Sequence, residues 1–141
     1  MQGTNAALLI AFALPFIGAA LAPIVMRRLG AAGAWLLAII PAYAFLAFAF
    51  HLPAIPKDGA VRGGVDWIPS LGVGLSWYLD GLSLSFALLI SGIGFLIVLY
   101  AGGYLKGHPR HGRFMSFLLL FMGAMQGLVA ADGFLTLFVF W

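Results

Sequence analysis

The residues of this chain that could do chemistry are few, and they lie at the ends of long apolar runs. Asp80 and Asp132 each stand just before such a run, His51 closes another, and Gln126 is the one side-chain amide inside a run. A carboxylate at the mouth of a membrane pathway can bind and release a proton or a cation, so Asp80 and Asp132 are transport-associated candidates. A carboxylate before a helix can also accept hydrogen bonds from the N–H groups of the first turn, and we predict this capping role for both.

Gln126 belongs to a segment rich in small residues. It lies between Gly123 and Gly127, whose four-residue spacing lets a neighbouring helix approach closely. We therefore predict that its carboxamide hydrogen-bonds to that neighbour rather than to a transported ion, although it stays a transport-associated candidate. Gly92 and Gly94 are predicted to serve helix packing in the same way.

Catalytic and metal-binding motifs are missing from the sequence. The chain has no cysteine, and it contains no phosphate-binding glycine loop, nucleophile elbow or zinc motif. His108 and His111 flank Pro109 and Arg110 in a basic loop, where we expect two exposed histidines without the further ligands that a metal requires. The sequence therefore predicts no cofactor, no metal and no enzymatic centre of its own.

The elements that carry these residues are membrane spans. The stretch Gly81–Leu105 has no charged side chain, and about 20 apolar residues suffice to cross the hydrocarbon core as a helix. Hydrophobic residues make up 64% of the chain and charged residues 8%, far from the composition of soluble domains. The net charge of +3 therefore bears on membrane orientation, and no nucleic-acid partner is expected.

The predicted fold is an all-α polytopic membrane protein with a short outer β-hairpin between the second and third helices. A cleaved signal peptide is a weaker interpretation of the first run, because the basic pair follows that run instead of preceding it. Four complete spans and a truncated fifth are predicted, at Ala6–Met26, Ala32–Leu52, Gly81–Leu105, Phe114–Ala131 and from Asp132 to Trp141.

The charges in the linkers predict the orientation. Segments 27–31 and 106–113 carry five basic residues, whereas the linker from 53 to 80 carries two, Lys57 and Arg62, together with three aspartates. The five are Arg27, Arg28, Lys106, Arg110 and Arg113. Basic loops stay in the cytoplasm, so the N-terminus and the linker from 53 to 80 are expected outside. The chain then divides into the first two helices (1–52), the outer linker (53–80) and the region from 81 to 141.

The outer linker contains the pattern of a β-hairpin. Val73–Leu79 alternates large apolar residues with smaller or polar ones, and Val65–Ile68 can pair with it across the turn-forming segment Pro69–Gly72. An irregular loop with aromatic anchors is the alternative. Three aromatic side chains are predicted to lie at headgroup level, those of Trp67, Trp77 and Tyr78.

The half of the chain from Trp67 to Trp141 resembles the N-terminal part of the A subunit of the Mrp-type multisubunit sodium/proton antiporters. More loosely it resembles the antiporter-like chain 5, or L subunit, of respiratory complex I. The blocks that carry the resemblance follow the family's order and spacing: Trp67–Gly72, Tyr78–Leu84, Phe86–Gly94, Leu118–Met125 and Leu137–Trp141.

The resemblance implies a subunit that works in a hetero-oligomeric membrane complex exchanging Na+ for H+. In these families a membrane-embedded glutamate follows the Phe-Trp block, and a lysine from a later helix pairs with it; neither lies within these residues. Asp132 matches an acidic residue of the family, although Gly133 replaces the usual asparagine, and Gln126 stands where an apolar residue is common.

Three functions are therefore open at the sequence level. The favoured one is a piece of a proton-coupled monovalent-cation antiporter subunit, inactive alone, in the cell membrane. The second is the equivalent piece of a proton-pumping NADH:quinone oxidoreductase. The third is a small membrane scaffold that transports nothing.

Overall fold

Helices and a β-hairpin make up the part of this chain that the structure describes. A computed structural model describes residues 2–54, 59–68, 70 and 73–141, with side chains described from residue 6 onward except those of residues 54, 67 and 73. The elements in chain order are α1 (Gln2–Leu29), α2 (Ala31–Phe50), a 3-10 turn (Leu52–Ala54), β1 (Val61–Ile68), β2 (Val73–Leu79), α3 (Gly81–Tyr104), α4 (His111–Ala130) and α5 (Phe134–Phe140).

Four of these helices are long and apolar enough to cross a membrane, namely α1 from Ala6, α2, α3 and α4. This confirms the predicted fold class, a helical multi-pass membrane protein with a hairpin between the second and third spans and a short fifth helix. Helix α1 extends beyond its predicted span to Leu29, and α4 begins earlier than predicted, at His111, because backbone hydrogen bonding continues into the basic flanks. Helices α2 and α3 end at Phe50 and Tyr104, slightly before their predicted ends.

Glycines with left-handed backbone make the two tight connections between helices. Gly30 joins α1 to α2 at φ 56°, and Gly107 lies at φ 82° between α3 and α4. Side chains with a Cβ rarely adopt this region, whereas glycine enters it freely. Each pair of helices therefore runs antiparallel, with both tight connections at one end of the bundle.

Small residues let the helices approach closely at that end. Gly102 of α3 lies directly against Ala34 of α2, and a Cβ at Gly112 of α4 would be 2.9 Å from the Pro23 Cα of α1. Apolar burial offers little drive for association between helices surrounded by lipid, so close contact of small residues is what holds such interfaces. The contacts arrange the bundle as α1 beside α4 and α2 beside α3.

The core of the bundle has two parts. One lies toward the tight connections and includes Met26, Leu37, Val98 and Leu119, all nearly or fully buried. The other lies under the hairpin and includes Phe12, Phe48, Trp77 and Leu84. The outward faces carry exposed Leu, Ile and Phe side chains, as expected of a surface that contacts lipid.

The hairpin is antiparallel, and its register runs from Val61 opposite Leu79 to Ile68 opposite Val73. This confirms the predicted pairing, but β1 begins at Val61, four residues before the predicted start. Part of the predicted turn, Pro69, Leu71 and Gly72, lies outside the described residues.

The predicted position of Trp77 at the membrane interface is wrong. Its ring is buried, with its centroid 5.7 Å from that of Phe12. Trp77 occupies an inward-facing position of β2, so the hairpin presses it onto the helices rather than toward lipid headgroups. Tyr78 is half-buried, and the Arg62 guanidinium lies 4.7 Å from its ring centroid. The Trp67 side chain lies outside the described residues.

Candidate functional site

Asp80 caps helix α3, as the sequence predicts. Its backbone is extended, and its Oδ1 accepts a 2.7 Å hydrogen bond from the Ser83 backbone N–H. This hydrogen bond, with a smaller contribution from the Ser83 side chain, holds the pKa of the Asp80 carboxyl below its usual value. The carboxylate is thus ionised and engaged in the helix terminus at neutral pH.

Asp132 does not cap helix α5, which corrects the prediction. The N-cap is Gly133, whose extended backbone (φ −139°, ψ 160°) makes no side-chain cap bond. The Asp132 side chain is exposed, and its backbone N–H donates to the Ser76 carbonyl at 3.2 Å. Strand β2 thus binds the backbone of this connection, while no side chain caps the first turn of α5.

The α4–α5 connection is fastened to the free edge of β2. Ala131 forms an isolated antiparallel bridge with Trp77, and the Ser76 N–H donates to the Thr136 Oγ1 at 3.1 Å. Both backbone groups of Ser76 thus form hydrogen bonds, one with the connection and one with α5. These bonds cover a strand edge that would otherwise be unpaired. Thr136, which is buried, is not among the residues predicted from the sequence. In the sequence, Thr136 is marked only as the single hydroxyl-bearing residue among the apolar residues of α5.

Gln126 is fully buried in α4, and neither of its side-chain polar atoms has a hydrogen-bond partner among the described residues. The predicted bond from its carboxamide to a neighbouring helix is therefore wrong. An amide without partners in an apolar interior is costly, so its surroundings need an explanation.

The packing glycines of α4 contact different elements. A Cβ at Gly123 would lie 3.0 Å from the Pro15 Cβ of α1, whereas Gly127 lies directly against the Phe140 ring of α5. The close contact at Gly123 is therefore with helix α1, and the close contact at Gly127 is with an aromatic ring of α5.

The packing glycines of α3 face two neighbouring helices. A Cβ at Gly94 would lie 2.7 Å from the Met122 Sδ of α4. A Cβ at Gly92 would lie 3.4 Å from the Phe45 ring of α2. The closer contact is thus the one with α4, where a flexible methionine fills the space that the missing side chain leaves.

A cavity of about 180 Å³ lies beneath the hairpin, where β2, α1, α4 and α5 meet. Its lining is almost entirely apolar and includes Phe12, Trp77, Ala130, Thr136 and Phe140. None of the described residues that line it carries a charged side chain.

The two loop histidines differ in solvent exposure, contrary to the prediction. His108 is exposed, but His111 is buried in the first turn of α4, which corrects the expectation of two exposed rings. His51 is also buried, and its Nδ1 lies 2.7 Å from the Ala47 carbonyl oxygen. Within the described part of the chain, no three His, Cys, Asp or Glu side chains come together as a metal site.

Ionisable side chains are confined to the ends of the bundle. The hairpin end carries Asp66, Asp80 and Asp132 with one basic residue, Arg62. The other described Lys and Arg residues lie at or beside the tight connections: Arg27, Arg28, Lys106, Arg110 and Arg113. The middle of each described span carries no charged or histidine side chain. The charged side chains of the described spans thus lie near the span ends.

A family model and several known proteins match this chain. The model described as NADH-ubiquinone oxidoreductase (complex I), chain 5 N-terminus, matches residues 67–115. The Na(+)/H(+) antiporter A1 subunit of Staphylococcus haemolyticus (strain JCSC1435) is 41% identical over 137 residues, which are 94% of this chain and 17% of that protein. The A1 subunit of Staphylococcus aureus is 40% identical over the same shares. The chain therefore spans about one sixth of the length of these relatives.

Solved structures agree with these matches. The Mrp complex from Dietzia sp. DQ12-45-1b contains a chain with a TM-score of 0.77 and 35% identity, covering 95% of this chain and 14% of that one. The membrane-bound sulfane sulfur reductase, an archaeal respiratory membrane complex, has the same fold at a TM-score of 0.75 and 22% identity, over 96% of this chain and 21% of that one. By sequence, the chain is similar to about one sixth of the A1 subunits of Na(+)/H(+) antiporters, and by fold it is similar to part of a chain of the Mrp complex.

Proposed function

We propose that this chain is part of the membrane subunit of a multisubunit antiporter that exchanges Na+ for protons, and that it is inactive alone. The observation that carries the proposal is the identity of about 40%, over 94% of the chain, to proteins named as A1 subunits of Na(+)/H(+) antiporters. The fold shared with a chain of the Mrp complex supports an assembly with other subunits. The activity belongs to a transporter and not to an enzyme.

The role that fits these residues is structural support for the transport pathway. A mid-membrane ionisable group marks an ion pathway, and none is present in the described spans. The groups that load and release ions are therefore supplied by other parts of the subunit or by its partners. We assign Asp80, Asp132 and Gln126 to this structural role. Asp80 caps α3, and Asp132 belongs to the connection bound by β2. Gln126 lies inside the bundle.

A transport assay on inverted membrane vesicles tests this function. In cells that lack other sodium/proton antiporters, the gene is expressed with its neighbouring genes, and addition of Na+ should release an imposed proton gradient. Deletion of the segment from 1 to 141 should abolish that release. Sodium-dependent proton release that survives the deletion would exclude the proposed role.

The equivalent piece of a proton-pumping complex is the second candidate, because the matching family model describes complex I chain 5. The same vesicles distinguish the two, since a respiratory complex forms its proton gradient on addition of NADH and a quinone. An NADH-driven gradient that requires this segment, without any response to Na+, would favour the second candidate.

We also propose that the N-terminus and the hairpin face outward and that both basic connections face the cytoplasm. The described acidic residues lie at the hairpin end, and five of the six described Lys and Arg residues lie at the other, which fits the retention of basic loops inside. The chain has no cysteine, so single cysteines at Asp66 and His108 report orientation directly. A membrane-impermeant maleimide should label D66C but not H108C in intact cells, and the reverse pattern would overturn the orientation.

A further inference from the structure

Prolines inside helix α1 release backbone carbonyls from their usual hydrogen bonds within the helix. Pro15 and Pro23 both lie within α1, and proline has no N–H to donate to the carbonyl four residues earlier. The carbonyls of Ala11 and Ala19 therefore lose their usual intrahelical donors. In a membrane these groups need other partners, because the lipid supplies none.

One of the two released carbonyls has its partner on α4. The Ser116 Oγ donates a 2.6 Å hydrogen bond to the Ala19 carbonyl, although the residues are far apart in the chain. A side chain of α4 thus replaces the N–H that Pro23 lacks.

The antiparallel packing of α1 and α4 places Gln126 at the level of the other released carbonyl. Ser116 lies opposite Ala19, and Gly123 lies opposite Pro15. One further turn along α4 reaches Gln126, and one further turn back along α1 reaches Ala11. Both residues are fully buried, and neither carboxamide atom of Gln126 has a hydrogen-bond partner among the described residues.

We propose that Gln126 and the Ala11 carbonyl form a binding site for one water molecule between α1 and α4. The water donates a hydrogen bond to the carbonyl oxygen and bonds the carboxamide of Gln126. A buried water needs two to four polar partners, and this pair supplies them in an otherwise apolar contact. The facing stretches, residues 6–26 of α1 and 114–130 of α4, carry no charged side chain, so the site suits a neutral ligand. The site does not depend on the transport function proposed above.

A double-mutant cycle tests the pairing in the protein purified in detergent, read as the thermal unfolding midpoint. Gln126→Leu leaves the Ala11 carbonyl unpaired and should lower the midpoint by about 4 °C. Pro15→Ala restores an intrahelical donor to that carbonyl, so in the Pro15→Ala background Gln126→Leu should cause no such loss. Gln126→Met gives the same comparison if the leucine variant does not fold.

The control combines the serine variant with each of the two proline variants. Ser116→Ala should be rescued by Pro23→Ala, whereas Ser116→Ala combined with Pro15→Ala should give additive shifts. If Gln126→Leu lowers the midpoint equally with and without Pro15, Gln126 does not serve the Ala11 carbonyl and the proposal fails.

The water itself is tested by a high-resolution electron-microscopy map of the protein in lipid nanodiscs. Density within hydrogen-bond distance of both the Ala11 carbonyl and the Gln126 carboxamide is expected, and it should disappear in the Gln126→Leu variant. A dry contact in the unaltered protein, or a direct bond between the two groups, would overturn the proposed site.

Discussion

The Thr136 Oγ1 accepts a hydrogen bond from the Ser76 backbone N–H at 3.1 Å, across a separation of 60 residues in the chain. With the bond from the Asp132 N–H to the Ser76 carbonyl, it ties strand β2 to both sides of the break between α4 and α5. The short helix α5 therefore takes its position from the hairpin as well as from α4. The position of any residue that follows α5 then depends on these contacts as well.

Replacement of Thr136 by valine should loosen this attachment. Valine keeps the shape of threonine but leaves the Ser76 N–H without an acceptor in a buried site, a loss of about 1–3 kcal/mol. Hydrogen exchange measured by mass spectrometry should show faster exchange in the peptide that contains β2. Thr136→Ser, which retains the hydroxyl, should behave like the unaltered protein.

Ser85→Ala is the matched control for loss of a hydroxyl. Its Oγ donates to the Gly81 carbonyl within the same helix and is exposed, so its removal should leave the hairpin unaffected. Equal exchange in β2 for Thr136→Val and the unaltered protein would show that the hydroxyl does not hold the hairpin.

Removal of the Asp80 carboxylate should destabilise α3 in a pH-dependent way. Loss of an N-cap costs about 1 kcal/mol, so Asp80→Ala should unfold at a lower temperature at pH 7. The pKa of Asp80 is lowered by its bond from Ser83, so its charged form is favoured by folding. That contribution is complete above the ordinary aspartate pKa of 3.8 and is lost as the pH falls through the lowered folded-state pKa.

Thermal unfolding midpoints across a pH series measure this effect. The difference between the unaltered protein and Asp80→Ala should be constant near neutral pH and shrink only below about pH 4. Asp132→Ala is the matched control, because its carboxylate makes no cap bond to α5. A pH-independent difference for Asp80→Ala would show that the ionised carboxylate is not what caps α3.

The spans and strand β2 could be predicted from the sequence because their patterns are local. Strand β2 begins at Val73 and ends at Leu79 as predicted, whereas the start of β1 was missed. Gly63 and Gly64 interrupt the alternation that marks a strand. Glycine is needed there because the Trp77 ring lies over Gly63, only 2.6 Å from where a Cβ would be, and that contact joins two strands.

The residues that position the candidate site depend on partners distant in sequence. Asp80 and Asp132 both precede a helix, but only Asp132 has its backbone bound by strand β2. Likewise His111 is buried because α4 begins at the end of the bundle that holds the tight connections, beside α1 and α3. A one-dimensional pattern cannot distinguish these cases, since the difference lies in which element folds against each residue.

Two adjacent glycines in α3 should respond in opposite directions to alanine. A Cβ at Gly102 would collide with the Ala34 Cβ, and overpacking of a tight contact typically costs about 1–3 kcal/mol. A Cβ at Gly103 would meet no atom within 4 Å, so Gly103→Ala should gain up to about 1 kcal/mol of helix propensity. Thermal unfolding in detergent should therefore give a lower midpoint for Gly102→Ala and an unchanged or higher one for Gly103→Ala. Equal midpoints would show that α2 and α3 do not pack at this distance.

Residues 1–141 alone should not exchange sodium for protons. Coupled exchange needs a group that alternates between protonated and ion-bound states inside the membrane, and the described spans carry charged side chains and histidines only near their ends. Liposomes that contain the purified chain and a trapped pH indicator should respond to a sodium gradient no faster than empty liposomes. Liposomes with the complete antiporter complex should respond under the same conditions, which establishes that the assay detects exchange. A sodium-driven pH change above that of empty vesicles would mean that these residues hold a complete ion pathway, and the support role proposed for them would be wrong.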